Sequence, residues 1–303
     1  MVVARAWNWR DCCGTGGCCR PCWGPSRAEI NALVPLLEEV WQQPLAQRPK
    51  RQRAKGAGAT GKLAGAERKR CFRLFSLKVY PTFAVLSFFF ALPSSECCRW
   101  GHQLLPLRAQ VLGRHLVLPK RPITSLTECA AAFPGATAVL VDGMERPIQR
   151  PKQASPNRKH YSGKKKRHTR KAMVVADTKR RIGGLTRSKR GSRHDKRVAD
   201  ARRIIQGLPA TGSVIADAAF QGSQHPQLCL PRKGSKNHPL STENRGWNRL
   251  VASIRVRVEH AIGGRKRFGA GANLYRNHKP CCDDRFNLLA AGLWNLRLAL
   301  RTT

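Results

Sequence analysis

Two short apolar runs, TAVLVD ending at Asp142 and SVIAD ending at Asp217, each close on an aspartate, and both read as β-strands. Such placement is a strong constraint here, because 57 Lys and Arg stand against only 17 Asp and Glu. In so basic a chain, an acid beside an apolar run is held there for a purpose. A third strand-like run, Ala172 to Ala176, and a helical pattern from about Lys196 to Gln206 lie between the two. This alternation predicts a mixed α/β fold beyond Pro122, with Ala138 to Val141 and Val214 to Ala216 as its other strands.

Gly143 follows Asp142, which predicts a carboxylate at a strand terminus where the backbone turns away. If the two strands are parallel or adjacent, both carboxylates reach one edge of the sheet. Glu259 lies in SIRVRVEHAIGGRKRF, where Arg255, Glu259, Ile262 and Lys266 fall on one helical stripe at spacings of four, three and four. Hard divalent cations prefer carboxylate oxygens, and phosphodiester cleavage at neutral pH uses such cations on the attacking and leaving oxygens. Asp142, Asp217 and Glu259 are therefore the candidate catalytic and metal-ligating residues, with Mg²⁺ or Mn²⁺ as the expected cofactor. A surface ion pair between Arg255 and Glu259 is the plainer account of the stripe. Asp195 and Asp177 are rival acids, as supporting residues or N-caps, and His194 is a candidate proton carrier.

A formal charge of +40 makes a compact fold repel itself, and binding to a polyanion relieves that repulsion through counterion release. Double-stranded DNA is the expected partner. A membrane surface fits less well, because the basic residues are spread along the chain and the longest apolar stretch, Val79 to Leu92, is too short to span a bilayer. Between Arg150 and Arg203 there are 21 Lys or Arg and three acids, including the run Lys164, Lys165, Lys166, Arg167 and His168, which reads as a phosphate-gripping surface. Arg255, Arg257 and Lys266, around Glu259, are expected to grip phosphates too.

With 303 residues and 41% hydrophobic content the chain can bury a sizeable core in one large domain or two ordinary ones. The start, MVVARAWNWRDCC, lacks the apolar core of a signal peptide, so a cytoplasmic, nucleoid-associated protein with reduced thiols is expected. Cys12, Cys13, Cys18, Cys19 and Cys22 crowd residues 1–24, a Cys/Trp-rich extension read as disordered. Cys19 and Cys22 have zinc-ligand spacing, but no second pair completes a site.

Residues 25–47 carry a capping box at Ser26 and Glu29 and then Ile30, Leu33, Leu37 and Trp41 at helical intervals, an N-terminal helix. Residues 48–70 read as a basic linker, since Arg48 to Arg70 holds nine Lys or Arg among Gly and Ala. Residues 71–112 read as helix, turn and helix, with the break at Ala91-Leu92-Pro93 and with Ser94 or Ser95 as N-cap. A DNA-binding helix-turn-helix would turn Glu96 and Arg99 to bases or phosphates, while an ordinary helical hairpin shares the pattern. A connector over 113–136 then leads to the catalytic α/β region at 137–300.

These pieces resemble a bacterial insertion-sequence transposase of the DDE superfamily endonuclease type, related to Harbinger transposases. The likeness runs from about Ser26 to Leu298. It rests on VDGMERPIQRP from Val141, YSGKKKRHT from Tyr161, HDKR from His194, IADAAFQG from Ile215, VRVEHAIGG from Val256 and FNLLAAGLWNLRL from Phe286. A weaker match, KVYPTFAVLSFFFALPSSECCRW, resembles the family's DNA-binding hairpin. The resemblance implies an RNase H-like mixed sheet flanked by helices, preceded by a small all-α helix-turn-helix domain. It also implies two Mg²⁺ ions held at Asp142, Asp217 and Glu259, and cleavage and joining of DNA ends by at least a dimer. The alternative is a decayed or domesticated relative that only binds DNA. Departures from the family pattern are Ala252 in place of Tyr, Met144 in place of Thr, and Arg265 in place of an apolar residue. Ala218 and Ala219 follow the second Asp where Gly is common, which predicts strain if that turn needs positive φ.

Overall fold

The computed structural model describes residues 63, 66–102, 118–120, 123, 126–201, 203–206, 208, 212–235, 237–277 and 282–302. The expected extension at 1–24, the helix at 25–47, most of the linker, residues 103–112 of the hairpin region, and residues 113–117, 121–122 and 124–125 of the connector lie outside them. Helix α1 (Ala66–Lys78) already begins within the stretch read as linker. Helix α2 (Phe83–Phe90) starts where Thr82 Oγ1 accepts the Val85 N–H at 3.3 Å, and it stops at Ala91, whose φ of 51° is left-handed. Helix α3 follows at 94–102, so the turn falls at the predicted Ala91-Leu92-Pro93 break. Phe72, Phe75, Leu86, Phe90, Leu92 and Cys97 pack this three-helix unit into its own core, with Phe72 and Phe90 edge to face at 5.0 Å.

Past α4 (Leu126–Ala132) the chain builds one seven-stranded mixed sheet from β1 (Ala138–Pro147), β2 (Tyr161–Ser162), β3 (Arg167–Asp177), β4 (Ile182–Leu185), β5 (Lys189–Arg190), β6 (Ser213–Ala216) and β7 (Leu228–Cys229). The order is β2-β3-β1-β6-β7, with β4 and β5 also paired to β3. β1 and β3 are antiparallel from Val139↔Asp177 to Pro147↔Thr169, whereas β6 runs parallel to β1 and β7 parallel to β6. Two strands are longer than the apolar runs that predicted them. Ladder bonds join backbone groups, so β1 continues through polar Glu145 and Arg146 as long as β3 offers a partner. Asp142 is accordingly not at the end of its strand, as expected, but in its middle.

Period-two alternation divides β1 between two cores. Val139 and Val141 face the side covered by α4 and by α6 (Asp195–Asp200), in a cluster with Phe133, Val198, Ile205 and Phe220. Leu140 and Met144 face the other side, where α7 (Thr242–Lys266) and α9 (Cys282–Thr302) supply Val251, Val258, Ile262 and Trp294. The helix expected at Lys196 to Gln206 ends early at Asp200, and Arg203 takes a positive φ of 46°. Breaking the helix there lets Ile204 and Ile205 turn into the core, so tertiary packing overrides local pattern.

A buried ionic knot fastens these layers together. Arg146 donates to the fully buried Asp283 at 2.9 Å and lies among the rings of Tyr80, Tyr275 and Phe286. Arg265, which stands where the family pattern has an apolar residue, is fully buried, and its Nη1 donates to the carbonyl of Gly271 in helix α8 (Gly269–Ala272) at 2.8 Å and to Asn287 Oδ1 at 2.7 Å. Burial, and then the neighbouring Arg146 guanidinium, lowers Arg265 to about 10, so it stays charged at neutral pH. The departure from an apolar residue is thus accommodated in part, by two hydrogen bonds at Nη1, while Nε and Nη2 are buried without a partner. Through Tyr80, and through the Lys78 Nζ bond to the Arg267 carbonyl at 2.8 Å, the same region docks α1 onto the sheet domain. Among the described residues no helix is long and apolar enough to cross a membrane.

Candidate active site

The last parallel pair between β1 and β6 is Val141↔Ala216, so Asp142 and Asp217 are the next residue on each strand. Alternation then fixes the side. Asp142 shares a face with Leu140 and Met144, and Asp217 shares it with Ile215, which is the face that α7 covers. Each carboxylate accepts the following N–H, Asp142 Oδ1 from Gly143 at 2.7 Å and Asp217 Oδ1 from Ala218 at 2.6 Å. Asp217 thereby caps a 3₁₀ turn at Ala218–Phe220. Neither alanine has positive φ, and the left-handed position is Gly222, at 77°. The strain expected at Ala218 and Ala219 is therefore absent, because the turn takes its glycine three residues further on.

Helix α7 begins with Ser241 accepting the Asn244 N–H at 3.1 Å and lays its stripe across this edge. Arg255 reaches toward Asp217 at 3.6 Å and toward Glu259 at 4.0 Å. Ile262 is buried against the sheet while Glu259 and Lys266 stay exposed at its rim. Among the described residues, no three His, Cys, Asp or Glu side chains stand close enough together to hold one metal ion. A guanidinium between Asp217 and Glu259 occupies the middle of the group instead. Burial raises the pKa of Asp142, the Gly143 hydrogen bond and Arg255 oppose that shift, and the charges of Asp217 and Asp195 add to it. Asp142, Asp217 and Glu259 offer oxygen donors of the kind hard cations take, but as placed the positive charge between Asp217 and Glu259 is that of Arg255.

The other predicted residues divide by place. Burial, then the charges of Arg265 and Lys165, lower the pKa of Lys266, and Asp142 opposes that shift, so Lys266 lies within electrostatic reach of both the β2–β3 hairpin and Asp142. Lys164, Lys166 and Arg167 are exposed on that hairpin, and Arg257 is exposed on α7. Arg99 is remote in sequence and is exposed on α3, paired with Glu96 at 3.0 Å. Ala252 is exposed and Met144 buried. Asp177 closes the β3–β4 turn by accepting the Arg181 N–H at 2.8 Å, near the other end of β1.

Asp195 lies on the opposite face, pressed against Gly143. A Cβ on Gly143 would stand 2.7 Å from Asp195 Oδ1, so that close approach requires glycine. Lys171 Nζ joins Asp195 Oδ1 at 2.9 Å and Glu145 Oε1 at 3.3 Å, and Thr169 Oγ1 donates to Glu145 Oε2 at 2.8 Å. Sequence reasoning missed this network. The signal was available in alternation, which puts Gly143 and Glu145 on one face of β1 and Asp142 on the other.

A family profile described as DDE superfamily endonuclease matches residues 141–295, from β1 to α9. The chain belongs to that family. Over 165 residues it is 33% identical to a probable transposase for insertion sequence element IS702 from Microchaete diplosiphon. That match covers 54% of this chain and 58% of the relative, so it spans little more than half of each. No solved structure matches. The mixed sheet flanked by helices is the RNase H-like nuclease domain of a DDE endonuclease.

Proposed function

We propose that this protein is the DNA transposase of an insertion sequence, which binds its element's terminal inverted repeats, cleaves the ends and joins the freed 3′-hydroxyls to target DNA. The observation that carries the reading is the register-matched pair Asp142 and Asp217, with α7 presenting Arg255 and Glu259 across the same edge. Asp142, Asp217 and Glu259 would hold Mg²⁺ or Mn²⁺ as two ions. Bound there, the cations supply a nucleophilic water at neutral pH and neutralise charge on the attacking and leaving oxygens. Arg255 holds the carboxylate group together, while Lys266 and Lys165 flank it as phosphate anchors.

Lys164, Lys166, Arg167 and Arg257 extend that grip, and Arg99 on α3 contacts the duplex at a distance from the cut. Two ends must meet, so the working unit is at least a homodimer. Asp142→Asn removes one ligand charge and leaves the basic surfaces intact. It should lower cleavage of an end-bearing duplex by at least about a hundredfold, an estimate for loss of a charge-stabilising group, with end binding retained in a gel-shift assay. Cleavage by the variant at the wild-type rate would remove Asp142 from the site. The position of Arg255 between two carboxylates also suits a protein that only binds DNA. For that second reading, wild type and variant bind alike and neither cuts.

A further inference from the structure

On the far side of the sheet edge from Asp142, residues Ser192, Arg193, His194 and Arg197 line an open cleft of about 510 Å³. The next residue after His194 is Asp195, whose carboxylate rests on Gly143. We propose that this cleft binds a backbone phosphate of the DNA, on the side of the β1 edge opposite the carboxylates. The inference rests on the DNA-cutting reading for its choice of ligand.

Its walls are fixed while its cations are free. Lys171 Nζ donates to the Arg193 carbonyl at 2.8 Å, Ser192 Oγ donates to the Lys159 carbonyl at 2.7 Å, and the Gly191 N–H donates to the Thr169 carbonyl at 3.0 Å. These bonds tie the loop to β3 and to helix α5 (Ala154–His160), so it is held open in advance of binding. Among the described residues the guanidiniums of Arg193 and Arg197 have no carboxylate partner, because Asp195 is taken by Lys171 and Asp200 by Lys196 at 2.7 Å. Two unpaired guanidiniums and a histidine in one cleft match the several acceptor oxygens of a phosphodiester, while the Ser192 hydroxyl is spent on the Lys159 carbonyl. The volume falls in the range of ordinary ligand sites, about 300–1,000 Å³, enough for a phosphate with part of its sugar. The β6 strand ends at Ala216, which leaves the β1 edge beside Asp142 uncovered by strand pairing on that side. A duplex laid over the edge can therefore touch the carboxylates with one backbone and the cleft with another part of its path.

The experiment is binding of a fluorescein-labelled mixed-sequence 30-base-pair duplex in EDTA, followed by anisotropy across a KCl series. Arg193→Ala/Arg197→Ala keeps every backbone bond that shapes the loop. Losing about two phosphate contacts should make the slope of log K against log[KCl] shallower by about 1.8 and weaken binding roughly thirtyfold at 0.15 M salt. Arg193→Lys/Arg197→Lys should restore the slope. The control, Lys179→Ala/Arg180→Asn, makes the same charge change at the β3–β4 turn near the other end of β1. A slope unchanged by the alanine pair, or lowered equally by the control, would overturn the proposal. Because no cleavage occurs in EDTA, failure of the catalytic reading shows separately, as wild-type protein that loses affinity with the alanine pair yet never nicks DNA in Mg²⁺.

Discussion

Asp142 carries its charge where solvent does not fully reach, and this has a consequence for stability. Its pKa is raised by burial, so the unfolded chain ionises more readily than the folded one in metal-free buffer. The favourable contribution is complete below the unfolded pKa and is lost as pH rises through the folded value. Asp142→Asn, whose side-chain oxygen can still accept the Gly143 N–H, should then melt higher than wild type at pH 7 in EDTA, with the gap closing near pH 3. A thermal melt series over pH checks this, and a wild-type advantage at pH 7 would contradict it. Gly143→Ala drives a Cβ into Asp195 and should destabilise by about 1–3 kcal/mol, the usual range for overpacking. In an Asp195→Ala background most of that loss should disappear, as read from urea midpoints. The positions of Asp142 and Asp217 were legible in the sequence because each follows an apolar run, although β1 continues beyond Asp142. Asp195 was legible only as a rival acid, since nothing in HDKR says that its carboxylate will meet a glycine from another strand.

Periodicity identified β1, β3, β6 and α6, but not the lengths of β1, β3 and α6, and it did not foresee β2, β4, β5, β7 or the helix α4 inside the expected connector. β1 outruns its apolar stretch because β3 supplies backbone partners as far as Pro147, and α6 stops short because Ile204 and Ile205 are needed in the core. The final helix α9 stitches the sheet edge in a way that its apolar pattern conceals. Asn295 accepts the Ile182 N–H at 2.8 Å and donates to the Ile182 carbonyl at 2.7 Å, which satisfies both backbone groups of one edge residue. Asn295→Leu leaves them buried and unpaired, and should cost about 1–3 kcal/mol in urea unfolding. Asp283 at the start of the same helix is fully buried against Arg146. Asp283→Ala abandons a buried guanidinium and should cost about 3–5 kcal/mol, whereas Arg146→Met with Asp283→Leu should recover much of that. Equal losses for the single and double variants would show that packing, not charge, dominates there. No periodicity argument could have found this pair, because its members lie far apart in sequence and inside different elements.

A net charge of +40 and carboxylates set into one sheet edge describe a protein whose field attracts polyanions and whose candidate site acids Asp142, Asp217 and Glu259 lie along that edge. The composition pointed to the proposed DNA partner, and the order of motifs from Val141 to the last helix pointed to the nuclease fold. What the sequence could not supply was the third dimension of the edge: carboxylates with Arg255 on one face, and Asp195 with the basic cleft on the other. That division predicts that removing Arg193 and Arg197 weakens grip without touching the acids, while changing Asp217 spares grip and ends cutting. A nicking assay on supercoiled plasmid carrying the element's flanking ends, run with Mg²⁺ or EDTA, separates these most directly. Wild-type protein should nick only with Mg²⁺, and Asp217→Asn should bind the plasmid but leave it supercoiled. Nicking by Asp217→Asn at the wild-type rate, or nicking that persists in EDTA, would contradict the account.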